Sequence, residues 1–150
     1  MRYLEDLKPG DTERFGSYLM TREEVVEFAS RYDPQPFHID EAAGAAHPLF
    51  KKLAASGWHT AAATMRMIVD HNQAVQAASL GSPGLENISW PIPTYPGDTL
   101  SVESEILEVR RSNSRPEMGF AKTRSTTFNQ HGQVVMTFTA NVMFATIPAD

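Results

Sequence analysis

The 150-residue chain has no cysteine. That removes disulfides and thiolate nucleophiles together, and it fits a reducing compartment. Positive charge is scarce as well: thirteen Lys and Arg stand against eighteen Asp and Glu, a net charge of −5. Such a balance argues against a sequence-independent nucleic-acid binder, which needs a basic footprint. It does not bar an anionic small molecule, because a few local cations can oppose the global sign. No apolar run reaches membrane-spanning length. The first residues, Met1-Arg2-Tyr3-Leu4-Glu5-Asp6, carry acids where a secretory leader would be basic and then apolar. The expectation is one soluble, cytoplasmic domain over residues 1–150, long enough to bury a core without metal or disulfide staples.

What is present begins with punctuation. Lys8-Pro9-Gly10-Asp11 reads as a turn, with a strand expected over Glu13 to Leu19. Thr21-Arg22-Glu23-Glu24 reads as a capping box, Thr21 capping and Glu24 reaching back. Val25, Phe28, Ala29 and Tyr32 follow at helical spacing as an inward face, and Pro34 stops the helix at Asp33. Asp40 caps a short helix over Glu41 to Ala46. Ser56 to about Ala78 is the longest helical pattern. Ala61, Met65, Ile68, Asn72 and Val75 share a face there, widened by Ala62 and Val69, and Ala61 to Ala63 keep the helix thin.

The last 60 or so residues alternate instead. Leu100, Val102, Ser104 and Ile106 form one face of a strand, and the phase shift at Leu107 and Val109 predicts a bulge. Phe120 to Phe128 and Val134 to Phe144 are further strands, joined across Asn129-Gln130-His131-Gly132. A helix followed by a run of antiparallel strands is an α+β pattern.

One segment stands apart: Tyr32-Asp33-Pro34-Gln35-Pro36-Phe37-His38-Ile39-Asp40. It sets a carboxylate and an imidazole five residues apart in a loop stiffened by Pro34 and Pro36, which fix their own φ and push their neighbours away from helix. Proton-transfer groups need such rigidity, because general acid–base chemistry tolerates little misplacement. Taken singly, Asp33 reads as a helix-end acid and His38 as a partly buried core histidine. Together they read as a pair. His38, Asp40 and His47 match no closed zinc set, and a carboxylate–imidazole pair explains the segment better than a metal does.

This segment resembles the Asp-x-Asn-Pro-x-His-x-Asp signature of the MaoC-like dehydratases and (R)-specific enoyl-CoA hydratases. Asp33, Pro36, His38 and Asp40 match it. Gln35 stands where asparagine is usual, and Tyr32 where glycine is. The resemblance extends to Ala55-Ser56-Gly57-Trp58-His59-Thr60, opening the long helix, and to Tyr95-Pro96-Gly97-Asp98-Thr99-Leu100, opening a strand. It implies a hot-dog fold, an antiparallel sheet wrapped around one long central helix. It also implies reversible addition of water to a trans-2-enoyl-CoA, giving an (R)-3-hydroxyacyl-CoA, with no cofactor beyond the coenzyme A of the substrate. A homodimer or larger homo-oligomer is expected, with sheets joined edge to edge.

That chemistry needs a base for water, a proton donor and donors for the thioester oxyanion. Asp33 and His38 are the acid–base candidates; which is the base stays open at this level. A histidine is the side chain suited to shuttling protons near neutral pH. Gly57 N–H, at the positive end of the long helix, is the oxyanion-hole candidate; its plain reading is a helix start capped by Ser56. Phe37, Trp58 and Trp90 are candidates for an acyl-pocket wall, though large aromatics there are as readily core. The family often has a small hydroxyl residue about five positions after the glycine; here Ala62 is there, with Thr64 nearby. Arg110, Arg111, Arg115 and Lys122 form the main basic region, a phosphate patch or merely a solvated strand end. Two other readings compete. A hot-dog thioesterase shares the fold but usually works with a carboxylate and no Asp–His pair. A non-catalytic acyl-CoA-binding module would not need the pair intact.

Overall fold

The computed structural model describes all 150 residues. A 3-10 turn over Leu4–Asp6 leads into strand β1, Thr12–Leu19. Three short helices follow: α1 (Arg22–Tyr32), α2 (Pro36–Ile39) and α3 (Glu41–Ala46). Helix α4 runs over Gly57–Ala74, and strands β2 (Ser79–Gly81), β3 (Leu85–Ser89), β4 (Thr99–Arg111), β5 (Met118–Phe128) and β6 (Val134–Ala145) complete the chain. The sheet is antiparallel in the order β1-β4-β5-β6-β2, with β3 also pairing with β6. It curls around α4, which packs on β1, β4 and β6. This is the hot-dog arrangement of an α+β chain.

The core lies between α4 and the concave face. Ala63 and Met67 of α4 meet Leu100 and Val102 of β4, Val135 of β6, and Met20 and Val25 at the start of α1. Burying such side chains stabilises by about 1.5–3 kcal/mol for each larger one. Gly16 makes the close approach possible. It sits with φ of +86° in a bulge of β1, and a Cβ there would stand 2.5 Å from Met67 Sδ. Only glycine fits both the dihedral and the space.

Several expectations hold as read. Thr21 Oγ1 accepts the Glu24 N–H, Asp40 caps α3 through the Ala43 N–H, and β4 shifts register between Ile106 and Glu108. Others need correcting. Glu24 does not reach back to close a capping box; its carboxylate accepts from Tyr18 and His59 instead. Tyr32 faces outward, 68% exposed, because α1 ends there and the chain turns away. Helix α4 stops at Ala74, since Ala78 to Gly81 turn back to pair with β6. The face that α4 buries is His59, Thr60, Ala63, Thr64 and Met67 rather than the stripe through Met65. Of that stripe Ala61 and Ile68 do pack against β6, while Met65 and Val69 remain 47% and 40% exposed and line a cleft between α4 and the sheet.

Candidate active site

Asp33 is the C-cap of α1, placed where Pro34 ends the helix. Two residues on, Pro36 starts α2, where its missing N–H costs nothing. The proline-rich segment is therefore a one-turn helix rather than an extended loop, and that turn swings His38 back beside Asp33. His38 is 5% exposed. Its Nδ1 lies 2.6 Å from the Ala54 carbonyl oxygen, which can only accept, so Nδ1 carries the proton. In neutral His38, Nε2 is then a bare lone pair. It faces Asp33 Oδ2 at 3.4 Å.

Asp33 is held at both oxygens. The Ser56 hydroxyl donates to Oδ2 at 2.7 Å, and Gln35 Nε2 donates to Oδ1 at 2.7 Å. Burial pushes its pKa up, but these two donors and the neighbouring His38 outweigh burial and hold the carboxyl below its ordinary range. Asp33 therefore stays ionised. Two acceptors, Nε2 and Oδ2, confront each other, and a water donating one proton to each satisfies both.

Ser56 joins the pair to α4. Fully buried, it is the N-cap, and its hydroxyl also accepts the Trp58 N–H at 3.2 Å. Its carbonyl takes the N–H groups of His59 and Thr60. Of the first four helical N–H groups, Gly57 alone has no partner. That free donor, at the positive end of the helix dipole, borders the same cavity as Asp33 and His38. The Trp90 indole lies over Gly57 so closely that a Cβ there would stand 2.8 Å from Trp90 Cε2. Glycine is required here by close approach.

All six residues singled out in the sequence line one cavity of about 570 Å³: Asp33, His38, Gly57, Phe37, Trp58 and Trp90. Trp58 and Trp90 meet edge to face at 5.4 Å and are 59% and 37% exposed, so they form a rim rather than core. Phe37 packs edge-on to His38 and to Phe50. The hydroxyls at the cavity belong to Thr60, which donates to Thr94 at 3.1 Å. Thr64 is not among them; it bonds Thr127 within the core. His47 accepts the N–H groups of Leu49 and Phe50 through Nδ1, which makes it a turn-former. Sequence reading missed Gln35, Ser56, Thr60 and Thr94 as contributors. A serine before glycine at a helix start is an ordinary cap, and nothing local announces that Asp33, 23 residues earlier, accepts its proton.

A helix held inside a curled sheet, with an ionised carboxylate, an imidazole lone pair and a free helix N–H bordering one cavity, is the frame of a hot-dog hydratase or dehydratase. The sequence model of the MaoC like domain matches residues 7–128, and the chain belongs to that family. It is 44% identical to a MaoC-like dehydratase from Rhodospirillum rubrum, over 98% of this chain and 99% of that one, with a TM-score of 0.88. The Bacillus subtilis protein YdeM is 25% identical over 127 residues, 85% of this chain and 87% of its own. The fold, at 24% identity and a TM-score of 0.68, also matches an (R)-hydratase of A. caviae involved in PHA biosynthesis, over 96% of this chain and 99% of that one.

Proposed function

We propose that the protein adds water reversibly to the double bond of a trans-2-enoyl-CoA, giving the (R)-3-hydroxyacyl-CoA. The observation that carries this reading is the pair of facing acceptors, His38 Nε2 and Asp33 Oδ2, beside the unpaired Gly57 N–H. A water bound about 2.8 Å from each acceptor is oriented for attack. As its oxygen bonds to C3 of the substrate, one proton passes to His38 Nε2. The imidazolium so formed is stabilised by the Asp33 carboxylate, which its own donors keep ionised. Charge that develops on the thioester oxygen meets the Gly57 N–H, and His38 then returns a proton to C2. Dehydration is the same path in reverse. Atoms balance with water as the only co-reactant, and the step calls for no cofactor. Phe37, Trp58 and Trp90 are the apolar wall for the acyl chain.

The same reading includes a homodimer. Trp58, Met65 and Val69 form an exposed apolar stripe along α4, and Leu85 is 48% exposed on the edge strand β3. A second copy related by a two-fold axis would cover both and pair the open sheet edges. Light scattering at assay concentration reads this directly; a fully active species of 16.6 kDa would contradict it.

The test of the activity is incubation with a trans-2-butenoyl-CoA while absorbance of the conjugated thioester and release of free thiol are followed together. Hydration removes the absorbance and releases no thiol. Thiol release at the same rate would make the protein a thioesterase, and binding without either change would make it a carrier or sensor.

A further inference from the structure

Most of the thirteen basic side chains in this acidic chain are spent on carboxylates. The region that looked most like a phosphate patch is among them. Arg111 pairs with Glu5, Arg115 with Glu117 and Lys122 with Glu86, while Arg110 lies over the Phe120 ring. A basic cluster neutralised at three of its four members, with the fourth laid on an aromatic ring, has little field left for an anion. The cations without an acidic partner are Lys8, Arg31, Lys51, Lys52 and Arg110. Lys51 and Lys52 adjoin each other and directly follow Leu49 and Phe50, which line the candidate active site.

The turn that carries these lysines is fixed with unusual thoroughness. His47 Nδ1 accepts two main-chain N–H groups from it, and the Lys51 N–H donates to the His47 carbonyl. The Tyr95 hydroxyl donates to the Phe50 carbonyl at 2.8 Å, and Lys52 Nζ lies 4.1 Å from the centre of the Tyr95 ring. Lys51 takes φ of +60°, a left-handed conformation that a lysine adopts at a cost. Both side chains are exposed. The Phe50 ring itself stands 6.0 Å from the His38 ring. A strained, bonded turn thus carries two unneutralised ammonium groups on the residues that directly follow Leu49 and Phe50 of the pocket lining.

We propose that Lys51 and Lys52 form the subsite for the phosphate groups of the coenzyme A portion of the substrate. The proposal rests on the thioester reading above and adds where the anionic end of that thioester binds. The pantetheine arm of such a substrate is flexible and long enough to reach the rim while the thioester lies at Gly57. Two ammonium groups as point charges suit phosphates that rotate, where a planar arginine fork would fix one geometry. Lys52 keeps its place through the Tyr95 ring, so less side-chain freedom is lost on binding.

The test is the Lys51→Gln/Lys52→Gln double variant, assayed with a trans-2-butenoyl-CoA and with the same acyl group on pantetheine, which has no phosphates. KM for the CoA ester should rise about tenfold with kcat retained, the sum of two exposed charge contacts. KM for the pantetheine ester should not move. The salt dependence of the wild-type KM for the CoA ester should be lost in the variant. Calorimetric titration with coenzyme A itself reads the contact without turnover: wild type binds, and the variant binds about tenfold more weakly. An equal change in KM for both esters, an unchanged KM for the CoA ester, or coenzyme A binding that is the same in both proteins would overturn the subsite. If wild type turned over neither ester, the hydratase reading would fail, while the titration would still decide the lysines.

Discussion

Two of the three carboxylate–imidazole pairs in this molecule, Asp33–His38 and Glu24–His59, use the same kinds of group and have opposite proton arrangements. In Asp33–His38 the imidazole donates through Nδ1 to the Ala54 carbonyl, so Nε2 arrives at the carboxylate as an acceptor. In Glu24–His59 the imidazole donates through Nε2 to the carboxylate at 3.1 Å, and Nδ1 is buried with no partner. The first pair borders a cavity of about 570 Å³. His59 is 2% exposed, stacked on Phe28 at 4.7 Å, and lines neither of the two main cavities. With the Nε2–H already bonded to the carboxylate, the Glu24–His59 contact needs no third molecule between its partners. A pair of facing acceptors needs one. The backbone carbonyl of Ala54 decides which case applies at His38, since it fixes the tautomer.

The largest loss is expected when the open pair is disabled. Asp33→Asn and His38→Ala should each lower hydration by about 10²–10⁴-fold with little change in thermal stability. Because both act on one water, the double variant should lose far less than the product of the single losses. Rates within a few-fold of wild type in either single variant would remove the pair from the mechanism.

Next in size is the hydroxyl that joins the pair to the helix. Ser56→Ala removes one donor to Asp33 and the cap of α4 together, and about tenfold in kcat is expected, at a cost in stability of about 1 kcal/mol. A merely structural role would stop there. The positioning role also moves the acidic limb of the pH–rate profile. Burial raises the Asp33 pKa, but the two donors and His38 hold it below the ordinary carboxylate range, so the wild-type activity should persist to lower pH. With one donor gone the limb shifts upward. Gln35→Ala, at an exposed residue whose loss leaves the fold alone, should shift it the same way. Profiles that coincide with wild type in both variants would show that neither donor sets the charge of Asp33.

Much of this was legible in the sequence, and the reasons for the exceptions are physical. Strands β4 to β6 and the ends of α1 and α3 follow from alternation, Pro34 and the caps at Thr21 and Asp40, because these signals are local. The segment from Asp33 to His38 is legible for the same reason: its prolines dictate the backbone from within. The inward face of α4 was misread, since counting apolar residues favours the stripe through Met65 and Val69. The sheet instead buries Thr60 and Thr64, whose hydroxyls find Thr94 and Thr127. Those partners lie tens of residues away, as does Asp33 from Ser56. Short β2 and β3 give no periodicity to read, being three and five residues long. The basic cluster near Arg110 promised an anion site, and only the register of neighbouring strands and the packing of the N-terminal turn reveal its acidic partners.

The smallest effect is expected at the closed pair. Glu24→Ala leaves His59 Nε2 and the Tyr18 hydroxyl without their shared acceptor. Tyr18 is pushed up to about 12, first by burial and then by its hydrogen bond to Glu24, so it stays a donor at any working pH. An unpaired buried donor costs about 1–3 kcal/mol, and the lower end applies because the Glu24 side chain is 42% exposed and screened. A fall in Tm of a few degrees is expected for a chain of this size. The effect has a pH signature. Burial raises the Glu24 pKa, but Tyr18 and His59 outweigh it and hold the carboxyl below its ordinary range. A depressed folded-state pKa gives stability that is present above the unfolded pKa and lost as pH falls through the folded one. The gap in Tm between wild type and Glu24→Ala should therefore be widest near neutral pH and narrow in acid. Hydration by the folded variant should stay within about threefold of wild type, since Glu24 and His59 touch no reacting atom. A loss as large as that of His38→Ala, in protein shown to be folded by its melting transition, would mean that the two pairs act as one relay.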